Sequence, residues 1–253
     1  MGDVTTRVAL LVTCVVDVVE PEVGVAAVRL LRAAGCEVSF PAGQTCCGQP
    51  AWNGGFTADA ARVARTTLEA LAADGADAVV VPAGSCATMV RHGWPQVFDL
   101  VGDAEATATA REVASRTAEL SEFLAGRSLP PLALPGRERV AYHHSCHLLR
   151  ELRVHDQPEA LLDRVDGCSR VEWPEDERCC GFGGLFSTKL PETSEAMADD
   201  KLDSLARTGA SVVVSADSSC LVHLRARAEA RGLPVRTRHL AEVLADALPG
   251  GGS

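Results

Sequence analysis

The chain has 253 residues with 47% hydrophobic and 23% charged, long enough for two domains with real cores. Its 24 basic and 34 acidic residues give a formal net charge of −10, which argues against a basic nucleic-acid groove. Ten cysteines in a chain that needs no disulfide staples point instead to metal or redox chemistry in a reducing, cytoplasmic compartment.

The apolar run Val8 to Val19, broken by Thr13 and Asp17, is too short to span a bilayer, and no other stretch approaches a span. No small-residue cleavage site follows it, so it is not read as a signal peptide. Met1-Gly2 with Thr6 meets only the loose acylation pattern. Val8–Val12 predicts a buried strand. Pro21 opens a helix with Val23, Ala27, Leu30 and Ala34 on one face and Gly35 at its end. Val38–Phe40 predicts a second strand. A helix begins at Thr57 or Asp59, with Ala60, Val63, Ala64, Leu68 and Leu71 as its apolar face, and closes at Gly75. Ala78–Val81 predicts a third strand, a helix starts near Cys86, and Val97–Leu100 predicts a fourth strand. The Ala-rich piece from Gly102 to Ala118 predicts a helix. Residues 125–139, rich in proline and glycine, suit a linker. The expected halves are 1–132 and 133–253.

The second half repeats the pattern: strand Val140–His143, helix Glu159–Arg164, strand Ser169–Trp173, helix Pro191–Arg207, strand Ser211–Ser215. The fold class is α/β, with two pseudo-symmetric halves, each a mostly parallel sheet flanked by helices. They are expected to face each other across a pseudo-two-fold axis. Only two basic residues are lysines, Lys189 and Lys201, a compositional bias to which no function is attached.

The cysteines carry the repeat. Cys14, Cys36, Cys46, Cys47 and Cys86 recur as Cys146, Cys168, Cys179, Cys180 and Cys220, at offsets of 132, 132, 133, 133 and 134 residues. The flanks match as well, for example GADAVVVPAGSCATMV with GASVVVSADSSCLVHL, and RTAELSEFLA with RTRHLAEVLA. Ligands collect at the carboxyl ends of parallel strands. There Cys14, Cys46, Cys47 and Cys86 converge in one half, and Cys146, Cys179, Cys180 and Cys220 in the other.

Four thiolates per half suit an iron–sulfur cluster or tetrahedral zinc. The vicinal pairs favour a cluster, because adjacent residues can reach two different irons, whereas zinc ligands are usually spaced by two or more residues. Gly48 and Gly181 permit a positive φ, and their amides can hydrogen-bond to sulfur. Cys36 and Cys168, each at the start of the second strand of its half, are read as structural. His143, His144 and His147 flank Cys146; of these, His144 and His147 are taken as cofactor-binding candidates, able to ligate, to donate to sulfur or to move a proton. His92 and His223 are expected at the surface or behind the ligands. Arg91, Arg150 and Arg153 are solvated helix arginines or contacts for a carboxylate substrate. No catalytic residue is assigned. No G-x-G-x-x-G follows the first strand, so no nicotinamide site is expected and the chain is not expected to act alone.

The doubled Cys-Cys-Gly motif resembles the cysteine-rich CCG-domain family that includes a component of heterodisulfide reductase. The phrases QTCCGQPAWNGG, PAGSCATMV, YHHSCHLLRELRV, CCGFGGLFS and DSSCLVHL resemble most closely its lactate utilization protein A branch, over nearly the whole chain. That resemblance implies an iron–sulfur oxidoreductase subunit in the oxidation of L-lactate, a small 2-hydroxy acid, to pyruvate. Its partners would be a ferredoxin-type iron–sulfur subunit and a third lactate utilization protein. Members of the broad family often end each motif with Cys-x-x-Cys; here Ala83 and Asp217 stand at the first of those positions. Each half therefore offers four motif cysteines rather than the five of the non-cubane cluster in the heterodisulfide reductase branch, which equally allows a simpler cluster of the 4Fe-4S type, in one half or in both. Zinc in one half, a zinc-stabilised scaffold and a heterodisulfide reductase-like thiol/disulfide redox subunit are the alternatives.

Overall fold

The computed structural model describes residues 5–210 and 212–250. Met1-Gly2 of the acylation pattern and Ser211 of an expected strand lie outside them. The chain divides into two compact units, Met1–Arg127 and Ser128–Ser253.

The first unit runs β1 (Arg7–Leu10), α1 (Cys14–Val19), α2 (Pro21–Ala33), β2 (Glu37–Ser39), α3 (Gln49–Asn53), α4 (Thr57–Asp74), β3 (Ala78–Val81) and α5 (Gly84–Thr88). A π-helical turn (Met89–Gly93) then leads to α6 (Trp94–Leu100), α7 (Ala104–Ser115), β4 (Thr117–Glu119) and α8 (Leu120–Ala125). The sheet is wholly parallel, in the order β2-β1-β3-β4. Val8, Ala9, Val79, Val80 and Val81 are fully buried at its centre, because a parallel sheet covered by helices on both faces reads as a continuous apolar run.

The second unit holds β5 (Leu132–Tyr142), a π-helical turn (His147–Glu151), α9 (Asp156–Asp163), β6 (Val165–Arg170), α10 (Leu185–Lys189) and α11 (Pro191–Ala206). It closes with β7 (Val212–Ser215), α12 (Ser218–Ala230), β8 (Arg236–His239) and α13 (Leu240–Asp246). Its sheet order, β6-β5-β7-β8, is also parallel throughout and repeats the first.

Three expectations change. Val97–Leu100 is not a strand but the end of α6, where Pro95 stands in the first turn and Trp94, Val97 and Phe98 form a buried i, i+3, i+4 face. The fourth strand is Thr117–Glu119, reached only after the inserted α7. The stretch expected as linker is largely β5, whose early residues Leu132 and Ala133 pair with Val165 and Asp166 before a register shift. That pairing also starts β6 at Val165, earlier than the expected Ser169.

The parallel phrases RTAELSEFLA and RTRHLAEVLA prove to be one device used twice. Glu119 caps α8, accepting from the amides of Ser121 and Glu122, while the Glu122 side chain returns to the Glu119 amide. His239 and Glu242 do the same for α13. Glu119 is fully buried, and its second oxygen has no hydrogen-bond partner among the described residues. Burial lifts its carboxyl to about 7 from 4.5. The folded chain thus keeps a proton in this window that the unfolded chain releases, so Glu119 makes stability fall as pH rises from about 4.5 to 7. Glu119→Gln keeps an oxygen acceptor and removes the buried charge. Urea unfolding at pH 5 and pH 8 is expected to show a flatter pH dependence in the variant, by on the order of 3 kcal/mol.

Candidate metal centres

All ten cysteines are free thiols. In the first unit the chain leaves β1 through Thr13 at φ 73°, and Cys14 opens α1. Cys46 and Cys47 lie between β2 and α3, and Cys86 is the third residue of α5. All four stand beyond the carboxyl ends of three adjacent strands, β2, β1 and β3. The Cys14 thiol donates to Cys46 Sγ at 3.6 Å, and Cys47 to Cys86 Sγ at 3.3 Å. The vicinal residues therefore turn to different partners.

The loop that achieves this is tied at many points. Gln44 accepts from the Val12 amide at 2.9 Å and donates to the Leu10 carbonyl at 3.0 Å. Buried Thr67, from α4, accepts from the Thr45 amide at 2.9 Å and donates to the Cys46 carbonyl at 3.3 Å. Trp94 Nε1 donates to the Cys47 carbonyl at 2.7 Å. Gly48, at φ 84°, sends its amide to Cys46 Sγ at 3.5 Å. A Cβ there would lie 2.8 Å from the Ala60 carbonyl oxygen.

The second unit repeats the plan. Cys146 follows β5 directly before the π-helical turn, Cys179 and Cys180 follow β6, and Cys220 is the third residue of α12. Cys180 donates to Cys220 Sγ at 3.0 Å, and Cys146 to Cys179. Gly181, at φ 90°, sends its amide to Cys179 Sγ at 3.4 Å. A Cβ there would lie 2.5 Å from the Ser194 carbonyl oxygen.

The anchor of this loop is Lys201, fully buried on α11. Its ammonium donates to the carbonyls of Glu175, Asp176 and Arg178 and sits 4.3 Å above the Trp173 ring. Burial pushes its pKa down to about 8, against the pull of nearby Cys180 and Cys220. Sequence reading passed over this residue. Its signal was present, since Lys201 shares the helix stripe of Ser194, Ala198, Leu202 and Leu205, all buried.

In each unit one sulfur gathers the hydrogen bonds. Cys46 receives them from Cys14 and the Gly48 amide, with the Cys47 thiol beside it, and is driven far below the ordinary thiol range. Cys179 is driven down likewise by Cys146, Cys180 and the Gly181 amide. The donors Cys14, Cys47, Cys146 and Cys180 are pushed up, first because each keeps its proton in a hydrogen bond to a neighbouring sulfur and then by burial. Removing those protons takes positive charge among the sulfurs, which a metal supplies.

Cys36 lies at the amino end of β2, the opposite edge from the cluster, and Cys168 lies inside β6 opposite Glu138. Neither joins the groups. His144 is buried, but its Nε2 lies 3.3 Å from Glu159 Oε1 and 3.9 Å from Asp176 Oδ2, and its ring stacks on His155 at 4.5 Å. It thus engages carboxylates, while His147 lies half-buried in the π-helical turn. His143 is the histidine beside the thiols: a ring nitrogen and the sulfurs of Cys180 and Cys220 all lie within 4.8 Å of one another. His223 Nε2 lies 3.2 Å from Ser194 Oγ. Arg91 is paired with Glu122 at 2.9 Å.

A profile of the cysteine-rich CCG domain matches residues 8–91 and 140–225, one copy in each unit. Over 239 residues the chain is 41% identical to lactate utilization protein A of Geobacillus kaustophilus (strain HTA426), covering 94% of this chain and 98% of that one. The chain belongs to the lactate utilization protein A family. Lactate utilization protein A of Exiguobacterium sp. (strain ATCC BAA-1283 / AT1b) is 40% identical over the same length, covering 94% and 96%. The fold is also similar to that of a hypothetical protein from Helicobacter pylori (TM-score 0.64, 11% identity) over 97% of this chain, which spans about half of that structure, 49%.

Family membership and geometry meet at the glycine of the CCG motif. Gly181→Ala is expected to destabilise the protein by roughly 1–3 kcal/mol through backbone strain alone, plus the clash with the Ser194 carbonyl. Gly184→Ala, also at positive φ but with nothing within 4 Å of a Cβ, is expected to lose less. Thermal unfolding of the two variants measures the difference.

Proposed function

We propose that this protein is an iron–sulfur oxidoreductase subunit that relays electrons in the oxidation of L-lactate to pyruvate, as one component of a multi-protein, cytoplasmic system. What supports the cluster is the split of each vicinal pair between different partners, Cys46 with Cys14 and Cys47 with Cys86. Adjacent residues bound to a polynuclear centre need that divergence. The donor set fits such a centre: four thiols in each unit, no disulfide, and a backbone amide aimed at one sulfur. The 4Fe-4S type is the cluster we assign, and when bound it supplies one-electron transfer.

The chain's own residues prepare the site. Cys14, Cys46, Cys47 and Cys86 would hold one centre, and Cys146, Cys179, Cys180 and Cys220 the other. The Gly48 and Gly181 amides stabilise negative charge on sulfur. Thr67 and Lys201 hold the cysteine loops in place. Oxidising lactate to pyruvate releases two electrons and two protons, and the chain carries no nicotinamide fingerprint. The electrons therefore pass to or from partners, for which a ferredoxin-type iron–sulfur subunit and a third lactate utilization protein are the candidates. The names of the relatives support lactate as the substrate system. A polar cavity of about 220 Å³ near Glu159, Asp163 and Asp176 has the wrong charge for a carboxylate substrate.

Zinc in one half is a second reading. Sulfur separations of 3.0–3.6 Å approach the roughly 3.8 Å of thiolates on one tetrahedral ion with 2.3 Å bonds. Anaerobic purification followed by iron and acid-labile sulfide analysis separates the two. Iron and sulfide in matching amounts are expected, falling by about half in Cys46→Ser or Cys179→Ser if both halves are loaded, and unchanged in Cys36→Ser and Cys168→Ser. Stoichiometric zinc without iron overturns the proposal.

A further inference from the structure

We propose that His143 is a ligand of the metal centre in the second unit, binding through Nε2 beside Cys180 and Cys220. The inference rests on the reading that this unit holds a metal, but not on whether that metal is iron or zinc.

The ring is fully buried just past the end of β5. Nδ1 lies 3.1 Å from the Asp176 backbone carbonyl oxygen. A carbonyl only accepts, so Nδ1 carries the proton. A neutral imidazole then keeps its lone pair on Nε2. Nε2 has no hydrogen-bond partner among the described residues. A buried nitrogen left in that state is destabilising, and a metal satisfies it without a proton. One ring nitrogen donating to a backbone carbonyl while the other faces the metal is how ligating histidines are oriented. Asp176, whose carbonyl fixes the ring, belongs to the loop that Lys201 anchors, so ring and cysteine loop are held by the same contacts.

The repeat makes the case sharper. At the offset of 132 residues that relates Cys14 to Cys146, His143 corresponds to Leu11, which is buried and has no donor atom. The first centre is then all-thiolate and the second mixed.

The test uses the full chain, freed of metal and titrated anaerobically with Co(II). Thiolate-to-cobalt absorption is expected, together with a strongly shifted, exchangeable imidazole N–H signal in proton NMR, that of Nδ1–H on the Asp176 carbonyl. Labelling with 15N-histidine identifies it in the unmutated protein. His143→Gln and His143→Ala are expected to remove the signal and to weaken Co(II) binding at this centre by at least the roughly 10-fold that losing a ligand's hydrogen-bond partner costs. Cobalt bound by thiolates with no such signal overturns the inference. So does a signal that survives His143→Gln, or disappears only in His144→Ala, and so does the absence of Co(II) uptake in the second unit when Cys14 and Cys46 are serine. Zinc without iron in the purified protein overturns the iron–sulfur reading alone and leaves His143 as a ligand.

Discussion

The constraint on which the site depends in each unit is the glycine behind the cysteine pair. Its backbone is left-handed, and its α-carbon is pressed against a helix carbonyl, so that a Cβ would come within 2.8 Å of Ala60 O or 2.5 Å of Ser194 O. No other residue type meets both conditions. That contact brings the loop down onto α4 or α11 and aims an amide at the first cysteine of the pair. It also leaves the second cysteine buried. The rest of the site follows from it, since the two other strand ends only have to deliver one thiol each to a loop already fixed.

The two units keep this skeleton and fill it with different chemistry. The loop carbonyls are satisfied by a hydroxyl in one case and an ammonium in the other: Thr67 and Lys201 stand 134 residues apart, the same offset as Cys86 and Cys220. Ala83 becomes Asp217, which caps α12 through the Ser219 amide at 3.2 Å, and Leu11 becomes His143. The first unit instead brings in α6, whose Trp94 closes the Cys47 carbonyl. A buried ammonium and a buried carboxylate in one unit, against the hydroxyl of Thr67 and the methyl of Ala83 at the matching places in the other, give the two sets of thiols unequal electrostatic surroundings.

Register explains what could be read from the amino acids. Five cysteine pairs at nearly constant offset fix both copies of the fold and name the residues that the sheet edge gathers, because loops at strand ends tolerate little drift when they share a site. The strand expected at Val97–Leu100 failed because a short apolar run has no period of its own, and only Pro95 and the spacing of Trp94, Val97 and Phe98 betray the helix. The choice between His143 and His144 lay beyond sequence reading. Neighbouring residues at a strand end point to opposite faces, so which one meets the sulfurs depends on where pairing stops, here at Tyr142. Lys201 was legible in principle, as a cation on an apolar stripe.

Charge is the remaining problem such a site has to solve. Two sets of four thiolates are a heavy negative load for a chain already at −10. Part of the compensation comes from the backbone. Cys14 is the first residue of α1, and Cys86 and Cys220 are each the third residue of a helix, where amides have no partner within the helix and the helix dipole is positive. The Gly48 and Gly181 amides add to this. Backbone amides need no particular side chain, which is why the same cysteine frame can sit beside neutral side chains such as Thr67 in one unit and ionisable ones such as Lys201 in the other. The side chains are then left free to give the two sets of thiols different surroundings.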